Sequence, residues 1–398
     1  MNHLDKKIYY NFFLFFLLLF LIFYRSPCFL LEGTFQHDEY VFYKNSLENG
    51  FLSGLIYVYP GAGYFNFWTN ISTSISSLFS FDIAKILVTY FALSAKLLIF
   101  FYIYFSKSEL FLSTNQKIFA IFIILLSPPM TPEVWMTTLH STEYFGILAF
   151  ILIFDDVDKE SQKKKLFSKF LIFISGISSI YAVTLTPVYF LKFFLKKTKE
   201  NFYNFLSIFF AFIIQASIVI NYHFLNINHT QRFQLEISKL ISYIYNVIVR
   251  SFFGSTIPKK IFLETNLYTI EKFNYLILSI FFIIIIFFVF YIFKKRDLIL
   301  NLIIFSLFIV SSFVMIGSLY PTFAGGRYAV VPGVILIFLI FRIFSCEKKV
   351  IIKYSCAILL SFSLIVGLIE FRHYSPLPDV LKCDYFKLDN QVLNLKYK

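Results

Sequence analysis

Long apolar runs, broken by short polar turns, recur from one end of this chain to the other. The first, residues 9–24, carries a single amide, Asn11, and is long enough to form most of a membrane-crossing helix. Inside hydrocarbon every backbone N–H and C=O needs an internal partner, so such a chain can fold only as a bundle of helices or a closed barrel. The apolar stretches are continuous, not alternating, which selects helices. Charged residues make up 15% of the 398, well below the roughly 25% of soluble domains. The expected fold is all-α: one polytopic transmembrane helix bundle over residues 1–371, with a short external tail over 372–398.

About eleven spans are expected, several of them shorter than the usual length of roughly 20 residues. They fall near residues 8–30, 83–106, 116–131, 141–154, 168–182, 183–195, 203–225, 274–293, 297–317, 328–345 and 350–370. The pair covering 168–195 is short and reads as a broken hairpin lying inside the bundle, where protein covers the backbone. Lys6 and Lys7 precede the first run as in a signal peptide, but no small-residue cleavage site follows, so the run reads as a retained span.

The net charge of +13 invites a nucleic-acid reading, which its distribution excludes. Many lysines sit in short polar segments: Lys6–Lys7, Lys107, Lys163–Lys165, Lys196–Lys199, Lys294–Arg296 and Lys348–Lys349. With alternating spans all of these share one face, which the positive-inside rule makes cytoplasmic. Lys259–Lys260 sits on the other face, but in a long loop, where the rule is weak. The N-terminus is then expected in the cytoplasm, and the composition, which suggests a bacterium, makes a bacterial inner membrane the expected location. The four cysteines form no CxxC pair and no metal-ligand spacing.

The opposite, external face receives the chemically interesting residues. His37, Asp38 and Glu39 follow the first span. A stretch with loosely helical apolar spacing follows and is stopped by Asn49–Gly50, as expected of an amphipathic helix at the interface. The turn from Tyr57 to Tyr64, rich in tyrosine and glycine, suits close approach of a sugar ring and makes Tyr59 and Tyr64 candidate substrate contacts. Asp38 and Glu39 together read as a general base for an acceptor hydroxyl or as ligands of a divalent cation, Mg or Mn. Alternatively they are a first-turn acidic pair favoured by the helix dipole.

A second group, Glu133, His140 and Glu143, sits at the external mouth, where prolines 128, 129 and 132 stop the preceding helix. Hydrogen bonding to a polar substrate is the expected role. A third group is cationic: Arg232 and Arg250 in the second long loop, and Arg327 in Gly325–Gly326–Arg327–Tyr328 at the start of a span. An arginine beside glycines at a helix start suits a phosphate, because amides and guanidinium can both reach it. External carboxylates and arginines above a lipid-facing bundle suggest a sugar carried on a polyprenyl phosphate. The arginines would hold the leaving phosphate and a carboxylate would activate the acceptor.

With these residues in place the chain resembles the GT-C class of polytopic membrane glycosyltransferases. The resemblance rests on Asp38–Glu39 after the first span, on Tyr59–Tyr64, on the prolines and Glu133, on Ser175–Gly176 to Pro187, and on Gly326–Arg327–Tyr328 to Pro332. It implies a polyprenyl-phosphate-linked sugar donor, a glycan or lipid acceptor of the cell envelope such as a surface polysaccharide or lipopolysaccharide, and inverting transfer outside the cytoplasm. The base it implies is Asp38, with Glu39 as partner or metal ligand. Tyr328 and His37 would join the substrate contacts. Many class members carry a folded external domain, and here only a short tail follows the last expected span. Two other readings stand beside it: an O-antigen-type polysaccharide polymerase, which external arginines also suit, and a lipid or solute transporter, for which Lys85, Lys96 and Gln215 are the polar positions within expected spans.

Overall fold

The computed structural model describes residues 3–25, 33, 35, 37–60, 62–126, 128, 132–135, 137–158, 160–222, 244–254, 297–317 and 326–373. Among these, regular structure is helical apart from one isolated bridge between Ser108 and Asp155. Helix α1 (His3–Arg25) buries a stripe at Leu14, Leu18 and Ile22, one residue per turn, and leaves Phe12, Phe13, Phe16 and Phe20 exposed. An exposed phenylalanine wall is what a lipid-facing helix surface needs.

Three short helices follow: α2 (His37–Asn49), α3 (Phe51–Leu55) and α4 (Phe67–Ser76). α2 buries Glu39, Phe42, Tyr43 and Ser46 along one face, and Gly50, at φ 88°, ends it in a backbone conformation that favours glycine. Leu47, Leu52 and Ile56 are exposed, giving α2 and α3 the apolar outer edge of an interfacial segment. α4 was not expected. Asn66 caps it, accepting from the Thr69 amide at 3.2 Å, and its buried residues are polar: Thr69, Asn70, Ser72, Thr73, Ser74 and Ser76.

The bundle continues with α5 (Phe81–Phe105), α6 (Thr114–Leu126), the single turn α7 (Pro132–Trp135) and α8 (Ser141–Leu152). Every residue of α8 is buried. Its 12 residues give a rise of only about 18 Å, shorter than the hydrocarbon layer, and it serves as a central post wrapped by other helices.

α9 (Gln162–Ser178), α10 (Ile180–Thr184) and α11 (Thr186–Lys196) form the expected broken hairpin, with the chain extended at Ser179. Its placement differs from expectation. Leu166, Phe167, Phe170, Phe190, Phe194 and Leu195 are exposed, so the hairpin lies at the lipid-facing periphery and only one face is covered.

α12 (Lys199–Ile220), a short α13 (Arg250–Phe253) entered through a π-helical turn, α14 (Leu298–Gly317), α15 (Val330–Cys346, preceded by a 3-10 turn at Gly326–Ala329) and α16 (Val350–His373) complete the described elements. Five segments are long and apolar enough to cross a membrane: Phe81–Phe105, Lys199–Ile220, Leu298–Ile316, Arg327–Cys346 and Val350–Glu370. Three shorter apolar helices, Phe12–Phe23, Thr114–Leu126 and Ser141–Leu152, pack among them. The span expected over 274–293 and the tail beyond 373 lie outside the described residues.

One end of the bundle gathers the loop lysines. Lys107 and Lys164 pair with Glu160 at 2.8 and 3.0 Å, Lys165 and Lys169 with Glu200 at 3.5 and 2.8 Å, and Lys196 with Glu109 at 2.6 Å. Arg342 reaches Asp297 at 3.5 Å and the Glu109 carbonyl at 3.2 Å. Turns far apart in sequence therefore share this end, as alternating spans require.

Candidate functional site

At the other end, α2, the 57–66 loop, the 137–140 loop, α8, α10, α12, α14 and the Gly326–Ala329 turn enclose a cavity. It contains about 830 Å³ of empty space, part of it continuous with the exterior. Asp38, Tyr59, Tyr64, His140, Glu143, Arg327 and Tyr328 all line it. These seven candidates come from four separate stretches of sequence.

Asp38 lies in the first turn of α2, and the Tyr59 hydroxyl donates to its Oδ1 at 3.2 Å. Tyr59 is itself fixed by a tight turn, where the amides of Ala62 and Gly63 both donate to its carbonyl at 3.0 Å. Gly63 faces the cavity at φ 65°, a conformation that a side chain would strain. His140 caps the N-terminus of α8 with its backbone, and its Nδ1 stands 3.5 Å from Glu143 Oε1, both side chains buried. The second carboxylate oxygen of Glu143 is buried without a hydrogen-bond partner among the described residues. Arg327 sits at the entry to α15 with its guanidinium 5.2 Å above the Tyr328 ring, half-buried at the cavity edge.

The remaining candidates divide. Glu39 is fully buried and turned away from the cavity. Its Oε1 accepts from the Thr138 amide, from Thr138 Oγ1 at 2.8 Å and from the Leu139 amide at 3.3 Å. Glu39 does not line the cavity beside Asp38: one residue along a helix turns a side chain by about 100°, so adjacent acids face different surroundings. Arg250 is buried in α13, packed against α15 and α16, and does not line the cavity. Arg232 lies outside the described residues, as do the side chains of His37 and Glu133, although the backbone of Glu133 belongs to α7.

Among the described residues no three His, Cys, Asp or Glu side chains gather as a protein-held metal would require. A divalent cation here would take Asp38 together with a ligand's own phosphate oxygens.

Several cavity residues were missed in the sequence. Tyr181 and Thr142 line the wall, Tyr181 within electrostatic reach of Glu143, Tyr64, Tyr328 and Arg327. Gln215, a polar position that transport would need, instead holds backbone: it exchanges two hydrogen bonds with Phe65, at 3.0 and 2.7 Å, and donates to the Gly176 and Ile177 carbonyls at 3.3 Å. Asn70 donates to the carbonyls of Leu55 and Tyr57 at 3.0 and 2.8 Å. The signal available was the cluster of amides and hydroxyls in otherwise apolar surroundings, since buried polar groups occur where there is backbone to satisfy.

Compared with known proteins, the chain matches no family model, no curated protein and no solved structure. Its class follows from the fold. Long apolar helices with exposed phenylalanine faces, packed as a bundle, mark an integral membrane protein with a cavity of mixed polar and apolar lining at one end.

Proposed function

We propose that this chain is a membrane glycosyltransferase with a GT-C-like bundle of about eleven spans. In this reading it transfers a sugar from a polyprenyl-phosphate donor to a cell-envelope glycan or lipid on the non-cytoplasmic face. The observation that carries the reading is the convergence of Asp38 and Arg327, from opposite ends of the sequence, on one tyrosine-lined cavity.

The chemistry follows from placement. The acceptor hydroxyl binds beside Asp38, whose carboxylate accepts its proton as the oxygen attacks the anomeric carbon. The bond from that carbon to the phosphate oxygen breaks, and the phosphate leaves with the electron pair. Attack from the face opposite the leaving group inverts the centre. Arg327, helped by the positive end of α15, offsets the charge on the departing phosphate. Tyr59, Tyr64, Tyr181 and Tyr328 offer flat faces and hydroxyls to a sugar, and Glu143 offers an acceptor for a ring hydroxyl. The Tyr59 hydroxyl bond orients Asp38 toward the cavity.

The test is mass spectrometry of surface glycan from a deletion strain complemented with wild type or Asp38→Asn. Loss of a specific sugar on deletion, restored by wild type alone, supports both the transfer and the base. Full restoration by Asp38→Asn rejects Asp38 as base, an unchanged glycan rejects transfer, and a collapse of glycan chain length assigns polymerisation instead.

A further inference from the structure

The geometry assigns Glu39 as a positioning residue: a buried latch that sets the acidic wall of the cavity relative to Asp38. This inference rests on the transferase reading for its consequence but not for its geometry.

Residues 138 and 139 form the two-residue approach to α8, and the first loop satisfies their backbone polar groups. The Thr138 and Leu139 amides donate to Glu39, the Thr138 carbonyl accepts from Thr69 Oγ1 at 2.8 Å, and the Leu139 carbonyl accepts from Asn66 Nδ2 at 3.0 Å. The Thr138 hydroxyl adds a third bond to Glu39. Loop amides buried this deeply would otherwise go unpaired, at a cost comparable to several lost hydrogen bonds. The segment is therefore hung from α2 and α4. His140 and Glu143 follow immediately, while Asp38 precedes Glu39 directly, so one carboxylate fixes both walls of the cavity. A displacement of about 1 Å between such groups costs about 100-fold in rate.

The requirement at position 39 is an acceptor oxygen, not a titrating group. Glu39→Gln keeps a carbonyl oxygen that accepts from the Thr138 amide, whereas Glu39→Ala removes all three bonds. Rescue by the conservative variant therefore separates a latch from a base, for which Gln fails as completely as Ala.

The experiment pairs hydrogen exchange of the purified full chain in detergent, followed on peptides covering 137–143, with the complementation assay. Exchange in that segment is expected to rise about tenfold or more in Glu39→Ala and to stay near wild type in Glu39→Gln. Glycan transfer should follow the same order, with Asp38→Asn inactive at wild-type exchange. Unchanged exchange in Glu39→Ala overturns the latch. Inactive Glu39→Gln with wild-type exchange overturns it too, because Glu39 then acts chemically. If Glu39→Ala does not accumulate, Thr138→Val, which deletes one donor and keeps the amide, must raise exchange in the same segment or the latch fails. If exchange behaves as expected and deletion leaves the glycan unchanged, the latch stands and the transferase reading falls.

Discussion

Asp155 shows what burial does to a carboxyl at the end of the bundle remote from the cavity. It lies in the turn after α8, 7% exposed, accepting from the Tyr102 hydroxyl, with Lys192 Nζ on its backbone carbonyl at 2.9 Å. Its Oδ1 is buried without a hydrogen-bond partner among the described residues. Desolvation pushes its pKa up from 3.8 to about 7, against the opposing pull of Lys192. The folded chain therefore holds a proton that the unfolded chain releases near pH 4. Stability from this group is complete below that value and is lost as pH rises toward 7. The thermal midpoint in detergent should fall between pH 5 and pH 8 more for wild type than for Asp155→Asn. An equal fall in both rejects the assignment. At the other end, the sequence shows Asp38 and Glu39 only as neighbours. Which one faces ligand and which holds backbone depends on Thr138, about a hundred residues away, and no local pattern encodes that contact.

Element by element, the legible features were those with a local cause. Gly50 stops α2 because only glycine suits its left-handed backbone, and α6 ends at Leu126 just before the proline cluster. α4 escaped because its Ser- and Thr-rich sequence reads as loop. It is helical because the surrounding protein pairs its polar side chains, as when Thr69 Oγ1 donates to the Thr138 carbonyl at 2.8 Å and Asn70 Nδ2 to the Leu55 carbonyl at 3.0 Å. The peripheral hairpin illustrates a second non-local cause. α9 approaches α12 through Gly176, where a Cβ would meet the Ala211 Cβ at 2.4 Å and Ile208 Cδ1 at 3.1 Å. Close approach through small residues is how helices associate in a membrane. Gly176→Ala should destabilise by about 1–3 kcal/mol, the usual cost of overpacking. Adding Ala211→Gly should recover part of the loss, because the two positions share one contact. Additive destabilisation in the double variant, read from thermal midpoints, argues against that contact.

For the whole molecule, the strongest constraint is that loop lysines and cavity candidates separate to opposite ends. Lys107, Lys164, Lys165 and Lys196 form one charged rim with Glu160, Glu200 and Glu109, while Asp38, Glu143 and Arg327 face the cavity at the other. Composition alone made the all-helical bundle legible, and charge alternation made the two-ended arrangement legible. The full cavity lining was not, because Thr142, Tyr181, Val219 and Val314 reach it from separate helices whose local sequences do not encode their meeting. The lysine rim should face the cytoplasm, since cations near membrane helix ends are retained on that side. A variant lacking Cys28, Cys346, Cys356 and Cys383 provides the background for the test. A cysteine replacing exposed Asn49, beside the cavity end, should react with a membrane-impermeant maleimide added to intact cells. One replacing Lys164 should react only after the membrane is opened. The reverse pattern would place the cavity in the cytoplasm, where a donor exposed on the outer leaflet is out of reach, and the proposed transfer would have to draw on a donor presented at the inner leaflet.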